Sequence, residues 1–332
     1  MGRLLGISLV ILSLVAGWYW SAYRTFLQTP LELPREGLVL NVEPGTNLKR
    51  LTRELADQGV LSHADYLYWH ARWKKLAHRI RAGEYLVPAG TTPPALLELL
   101  IRGKTVSYTL TLLEGWNFKQ VLAAVRNNKV LKHETQGLDA EQIMERIGRP
   151  GIHPEGRFFP ETYAFPRGTT DVDFLKRAFA KMEQELDAAW EGRNQDTIMV
   201  KSKGEALILA SIIEKETGVP EERPQIAGVF NRRLRIGMKL QTDPTVIYGM
   251  GDQYKGNIRR SDLRTDTPYN TYVHRGLTPT PICMPGRAAL DAALNPQDGK
   301  SLYFVSRGDG THVFSATLEQ HNAAVRKYQL KK

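Results

Sequence analysis

Residues 4–22 read LLGISLVILSLVAGWYWSA, an uncharged and mainly apolar run. At about 19 residues it is long enough to cross a bilayer as a helix, which needs roughly 20. A segment of this kind is stable across a membrane or enclosed by protein, and the enclosed arrangement is rare at an extreme N-terminus. Arg3 precedes the run and Arg24 follows it, while Trp18, Tyr19, Trp20 and Tyr23 cluster at its downstream end. Aromatic side chains gather where a span meets the headgroups. A cleaved signal peptide would end in a small-residue site. This run ends in bulky rings, so an uncleaved anchor is expected over residues 1–24. The short N-terminal end is expected in the cytoplasm with the bulk of the chain exported, although the flanking charges leave the opposite orientation open.

The remaining length suits one large domain or two ordinary ones. A hydrophobic fraction of 42% with 24% charged residues is that of a folded chain with a sizeable core. A formal charge of +10 favours anionic partners such as nucleic acid, lipid headgroups or an acidic polymer. With no zinc-finger spacing and no basic run punctuated by aromatics recognised, nucleic acid is not expected as a partner. Cys283 is the single cysteine, which excludes an intramolecular disulfide and zinc sites built on cysteine pairs.

Residues 25–36 (TFLQTPLELPRE) carry two prolines and no clear period, and read as a linker. Three strand-to-helix joints follow, at 38–49, 84–93 and 108–119. In each, apolar and β-branched residues lead into Gly45, Gly90 or Gly115, then into Asn47, Thr92 or Asn117 as a helix N-cap. Pro93 falls where a first-turn proline is tolerated. The spacing is uneven, so these joints are not a solenoid. Helical patterns at 48–58 and 64–75 make 37–105 a small β-α-α-β subdomain, a layout similar to a LysM domain, which is a glycan-binding fold. Residues 117–132 and 172–195 also read as helices, the second through Phe174, Phe179, Met182 and Leu186. The loop between them, EGRFFPETYAFP (155–166), is dense in aromatics. It could stack on sugar rings or pack under a core. The expected architecture is α+β: an N-terminal transmembrane helix, the subdomain at 37–105, and a larger mixed α+β domain over 106–330.

The run GEALILASIIEKET (204–217), closed by Gly218 and Pro220, is a well-signalled helix end. Its middle is apolar on every face, so it should be buried on most sides. It then delivers Glu214, Lys215 and Glu216 into its last turn. The C-terminal end of a helix carries partial negative charge, and burial disfavours the ionised form, so both effects raise a carboxylate pKa. A raised pKa is what a general acid needs near neutral pH. The plain alternative is a solvated helix end with Lys215 offsetting the dipole. Periodicity does not separate Glu214 from Glu216.

Downstream, Arg232, Arg233 and Arg235 read as a solvated face or a helix C-terminal complement. Asp243 precedes Pro244 and is an ordinary N-cap candidate. The loop DTPYNTY (266–272) offers aromatic faces and amides that suit carbohydrate, although turn formation explains the same residues. His274, His312 and His321 lack metal-site spacing, and no metal is expected. No GxSxG, phosphate-loop or dinucleotide fingerprint appears.

ILASIIEKET (208–217), NRRLRIGMKLQTDPTVIYG (231–249), DTPYNTY (266–272) and LYFVSRGDGTHVFS (302–315) closely resemble the YceG-like family, the endolytic murein transglycosylases. The likeness extends to EGRFFPETYAF (155–165), the GEYLVPAGTTPPALLELLIRGK region and the N-terminal anchor, covering nearly the whole chain from residue 36. It implies a lyase of the bacterial inner membrane, with a single span, a LysM-like subdomain and a catalytic domain in the periplasm. Its substrate would be peptidoglycan glycan strands, without metal or organic cofactor, and peptidoglycan synthases are candidate partners. The resemblance selects Glu214 as the catalytic residue, and membership of these motifs nominates Glu161, Gln241, Asp243, Tyr248 and Asn270 as substrate contacts. It further implies cleavage of the MurNAc–GlcNAc bond with formation of a 1,6-anhydroMurNAc end. Two rival expectations are a non-catalytic glycan-binding scaffold that recruits synthases, and a hydrolase.

Overall fold

The computed structural model describes residues 2–43 and 45–330, with side chains described from residue 6. The chain forms two compact units, one of residues 1–108 with 164–168, the other of residues 109–163 with 169–332.

The first unit begins with α1 (Gly2–Gln28). None of its apolar window is buried by other parts of the protein, and Leu12, Leu14 and Trp18 stand well exposed. It is therefore not a core helix, but one long and apolar enough to cross a membrane. It continues to Gln28, into the segment expected as a linker, because the first helix breaker is Pro30. Phe26 and Leu31 from that segment are buried in the core of this unit.

The core itself lies between β1 (Leu38–Val42), α2 (Leu48–Asp57), α3 (Ala64–Trp73), β2 (Gly83–Val87) and α4 (Pro93–Arg102). The two strands pair antiparallel with Leu40 opposite Tyr85 and Leu38 opposite Val87. Leu40, Val42, Tyr85 and Val87 point inward, as the twofold period of a strand requires. Leu51, Leu55, Leu67, Leu96, Leu97 and Leu100 complete the core. Asn47 caps α2 through its side chain, accepting from the Arg50 amide at 2.8 Å. Pro93 sits in the first turn of α4 after the extended Thr92. The strand–helix joints expected from sequence are thus present.

The chain passes between the units at β3 (Ser107–Thr111) and returns at β4 (Thr162–Pro166), and these two strands pair. The second unit contains α5 (Phe118–Asn127), α6 (Ala140–Arg146), α7 (Asp171–Glu191), α8 (Lys203–Glu216), α9 (Arg223–Arg235), α10 (Asp243–Met250), α11 (Arg287–Leu294), the hairpin β5 (Tyr303–Ser306) with β6 (His312–Ser315), and α12 (Leu318–Tyr328). Helix α8 is central. It packs against α7, α9, α10 and α11, and Leu207, Leu209, Ile212 and Ile213 are fully buried among Phe230, Leu290 and Leu294.

One open alternative is decided here and one expectation changes. The aromatic loop 155–166 packs under the core: Phe158, Phe159, Tyr163 and Phe165 are buried, with Phe158 stacked on Phe118 at 5.4 Å. Arg233 is also buried rather than solvated. It donates to the carbonyls of Leu302 (2.7 Å) and Leu240 (2.6 Å), while Arg232 reaches those of Ser301 and Gln297. These guanidiniums tie loops to α9, and a planar fork with several donors suits that task.

Candidate functional site

Helix α8 starts at Ser202, whose hydroxyl accepts from the Glu205 amide at 3.2 Å. It stops at Thr217, one residue before the expected glycine, where the backbone turns extended and the hydroxyl accepts from the Val219 amide. Its last turn sends two carboxylates in different directions.

Glu214 points toward the start of α11. Its Oε2 accepts from the Gly286 amide at 2.9 Å, and its Oε1 accepts from the Arg223 guanidinium at 3.3 Å. The side chain is only 5% exposed. Glu114 completes the group: Arg223 lies 4.0 Å from it, and its side chain is half exposed. A β-carbon at Gly286 would overlap the Glu114 carboxylate, so glycine lets the two approach as they do. The three segments are laced by backbone. Gly115 N donates to Met284 O at 2.9 Å and Met284 N to Trp116 O at 2.7 Å, with Lys215 Nζ donating to Gly115 O at 3.3 Å. Gly115 has a φ of +75°, a left-handed turn that glycine adopts without strain.

Burial raises the Glu214 pKa above the ordinary carboxylate value, opposed by the Gly286 amide. The negative charge of Glu114 raises it further, and Arg223 and Lys215 lower it. Desolvation therefore outweighs two nearby cations. Such a group holds its proton to higher pH than an ordinary carboxylate, a property that general acid–base chemistry requires.

Glu216 faces elsewhere. Burial, then the charge of Asp243, push it up to about 7. A third carboxylate, Glu155, is 4% exposed. It accepts from the Phe118 amide at the start of α5 and from the Tyr248 hydroxyl, each at 3.0 Å, and burial still pushes it up to about 7. Cys283 lies near both Glu214 and Glu155, and its thiol is raised by burial first and their charges second.

Four of the nominated substrate contacts converge on the 269–272 loop, where the Gln241 backbone amide donates to the Thr271 carbonyl at 3.2 Å. Tyr248 holds Glu155 and stacks edge-on against Tyr269 at 4.8 Å. Asp243 is the first residue of α10 rather than its cap, which is Thr242, and it accepts from the Tyr272 hydroxyl at 2.6 Å. Gln241 is exposed and adopts a φ of +50°, a left-handed conformation that costs a residue with a side chain about 1–3 kcal/mol. Asn270 is 1% exposed, and its amide donates to the carbonyls of Asp262 and Thr265. It shapes the 262–272 loop as a turn residue. Glu161 is exposed, with its charge near Tyr163 and Lys181. Sequence reasoning missed Glu114, Glu155, Arg223 and Gly286. The local signals were a lone Glu-Gly pair after a strand at 114–115 and the Pro-Gly step at 285–286.

A family model described as the YceG-like family matches residues 40–327. The chain belongs to that family. The endolytic murein transglycosylase of Bacillus subtilis (strain 168) is 31% identical, over 92% of this chain and 89% of its own length. The endolytic murein transglycosylase of Streptococcus pneumoniae (serotype 2, strain D39) is 25% identical over 96% of this chain, which spans 64% of that relative. The crystal structure of a putative yceG-like protein from Listeria monocytogenes aligns with a TM-score of 0.54 at 28% identity, covering 87% of this chain and 99% of that one. The YceG-like assignment includes every element that builds the Glu214 group.

Proposed function

We propose that this YceG-like chain is an endolytic murein transglycosylase, a lyase acting on peptidoglycan, with Glu214 as its acid/base. The observation that carries this reading is a carboxylate at the end of a buried helix, held by Gly286 and Arg223 beside a second, half-exposed carboxylate, Glu114. The names of the curated relatives supply the reaction class.

The mechanism runs through one residue. Protonated Glu214 donates to the glycosidic oxygen between MurNAc and GlcNAc, and the C1–O bond breaks as the GlcNAc hydroxyl departs. The resulting Glu214 carboxylate removes the proton from the MurNAc C6 hydroxyl, whose oxygen bonds to C1 and closes the 1,6-anhydro ring. Glu214 ends protonated, and no water is consumed. Ordinary glycosidases place two carboxylates about the bond, one of them activating water or attacking C1. Here an internal hydroxyl replaces that step, and the negative charge of Glu114 favours positive charge developing at C1.

Around this centre, Tyr248, Gln241, Asp243 and Glu161 are proposed to line the path of the strand, with Asn270 setting the shape of its loop. Residues 37–105 act as a LysM-like glycan-binding subdomain, residues 106–330 as the catalytic domain, and residues 1–24 as the anchor of a single-pass inner-membrane protein with its catalytic domain in the periplasm. The bulk positive charge suits strands that bear carboxylate-containing peptides. Synthases that make those strands are proposed partners.

Incubation of the purified full chain with isolated sacculi tests this reading. Internal cutting shortens the whole chain-length distribution of the glycan. Retention of the protein on sacculi with an unchanged distribution would establish the scaffold instead.

A further inference from the structure

Helix α3 packs on the downstream end of α1 through rings. Tyr66 lies 5.2 Å from Tyr19, 5.8 Å from Tyr23 and 5.5 Å from Phe26 between centroids. The Tyr23 hydroxyl and His70 Nδ1 share a hydrogen bond of 2.6 Å. On a helix, positions i, i+3, i+4 and i+7 share a face, so the face carrying Tyr66 and His70 continues to Trp69 and Trp73. Those two indoles are uncovered, 59% and 71% exposed. They sit about 4.5 and 10.5 Å along α3 from Tyr66 at 1.5 Å per residue.

Residues 69–81 read WHARWKKLAHRIR, with five lysines and arginines and no acid. This is a basic run punctuated by tryptophan, and the sequence reading passed over it. Arg72, Lys74, Lys75, Arg79 and Arg81 are all exposed. The Lys74 ammonium lies 5.3 Å over the Trp73 ring, and the Arg72 guanidinium 6.0 Å from Trp69. Beside them opens a cavity of about 570 Å³ whose lining includes Lys49, Arg72, Lys75 and His78.

We infer that α3 and the turn after it form a bilayer-facing surface that seats Trp69 and Trp73 at the interface and binds anionic phospholipid headgroups through Arg72, Lys74 and Lys75. The inference rests on the anchor reading of α1. Indoles prefer the headgroup layer, with one apolar side and one wet side. Lysine and arginine beside them add attraction to an anionic surface, the combination that holds interfacial helices in place. Continuity with the end of the span favours lipid over glycan as the occupant, because the docked rings fix α3 beside the aromatic end of α1.

The test uses the full chain in nanodiscs of phosphatidylcholine alone and of equal parts phosphatidylcholine and phosphatidylglycerol. Nitroxide labels are placed at Trp73→Cys and, separately, Ser13→Cys, since Cys283 is buried and leaves the new thiol as the reactive one. The expected result is a label at 73 that oxygen reaches more often than a nickel chelate in the anionic discs. That preference should be lost when Lys74→Gln and Lys75→Gln are added. Lipid-like accessibility at 13 with water-like accessibility at 73 in both discs overturns the surface alone. Water-like accessibility at both positions overturns the anchor reading and the surface with it. A label at 73 protected only by added glycan strands overturns it in favour of a sugar-binding face.

Discussion

Glu155, Glu214 and Glu216 share a raised pKa with burial as the first cause, yet their partners give them different work. Glu155 is held by an amide and a tyrosine inside the fold, so its titration shows in stability. Its pKa rises from 4.5 to about 7 on folding. The native state therefore binds more protons than the unfolded state between those values, and stability falls as pH rises through that window. Glu155→Gln should flatten this fall by about 1–3 kcal/mol, read as the difference between wild-type and variant denaturant midpoints at pH 4.5 and 7.5; parallel pH profiles would contradict it. In the proposed mechanism Glu214 titrates in the reaction instead. The charge of Glu114 helps hold its proton, so Glu114→Gln should move the alkaline limb of the kcat/KM profile to lower pH. Gly286→Ala should act in the same direction by displacing the Glu114 carboxylate while the backbone stays regular. A variant with reduced kcat and an unmoved limb would show Glu114 acting only through structure.

The elements were legible where the cause is local. Asn47 and Asn117 cap helices through bonds to residues three positions on, and that spacing is visible in sequence. The apolar run of α8 announced its own burial. What stayed hidden is long-range: Glu214 meets Gly286 across 72 positions, and no periodicity encodes that meeting. The aromatic loop at 155–166 was ambiguous for the same reason, because only the tertiary context decides whether Phe158 meets a sugar or Phe118. The choice of Glu214 over Glu216 came from resemblance, since one helical turn presents both. Helix α8 is held in the core by its buried face, to which Leu209 contributes. Leu209→Ala should cost about 2–5 kcal/mol of stability, measured by urea unfolding, with cleavage below the transition nearly unchanged. A loss of activity without a loss of stability would mean that Leu209 does more than pack.

Across the whole molecule, the N-terminal helix is both a span-length apolar rod and a structural part of the first unit. The exposed half, around Leu12 and Leu14, makes no core, whereas Phe26 is buried with Leu31 in the core of that unit. Phe26→Ala should therefore cost about 3–5 kcal/mol in the unfolding of that unit. Leu12→Ala should leave its melting temperature in detergent unchanged. Equal effects of the two substitutions would contradict this division. The proposed mechanism makes Glu214 responsible for a non-hydrolytic cut, which mass spectrometry of products from isolated glycan strands reads from the mass of the new ends. Wild-type protein should release 1,6-anhydroMurNAc-ended fragments, and folded Glu214→Gln should release none. Anhydro-ended products at the normal rate from Glu214→Gln, or wild-type ends heavier by one water, would contradict the account.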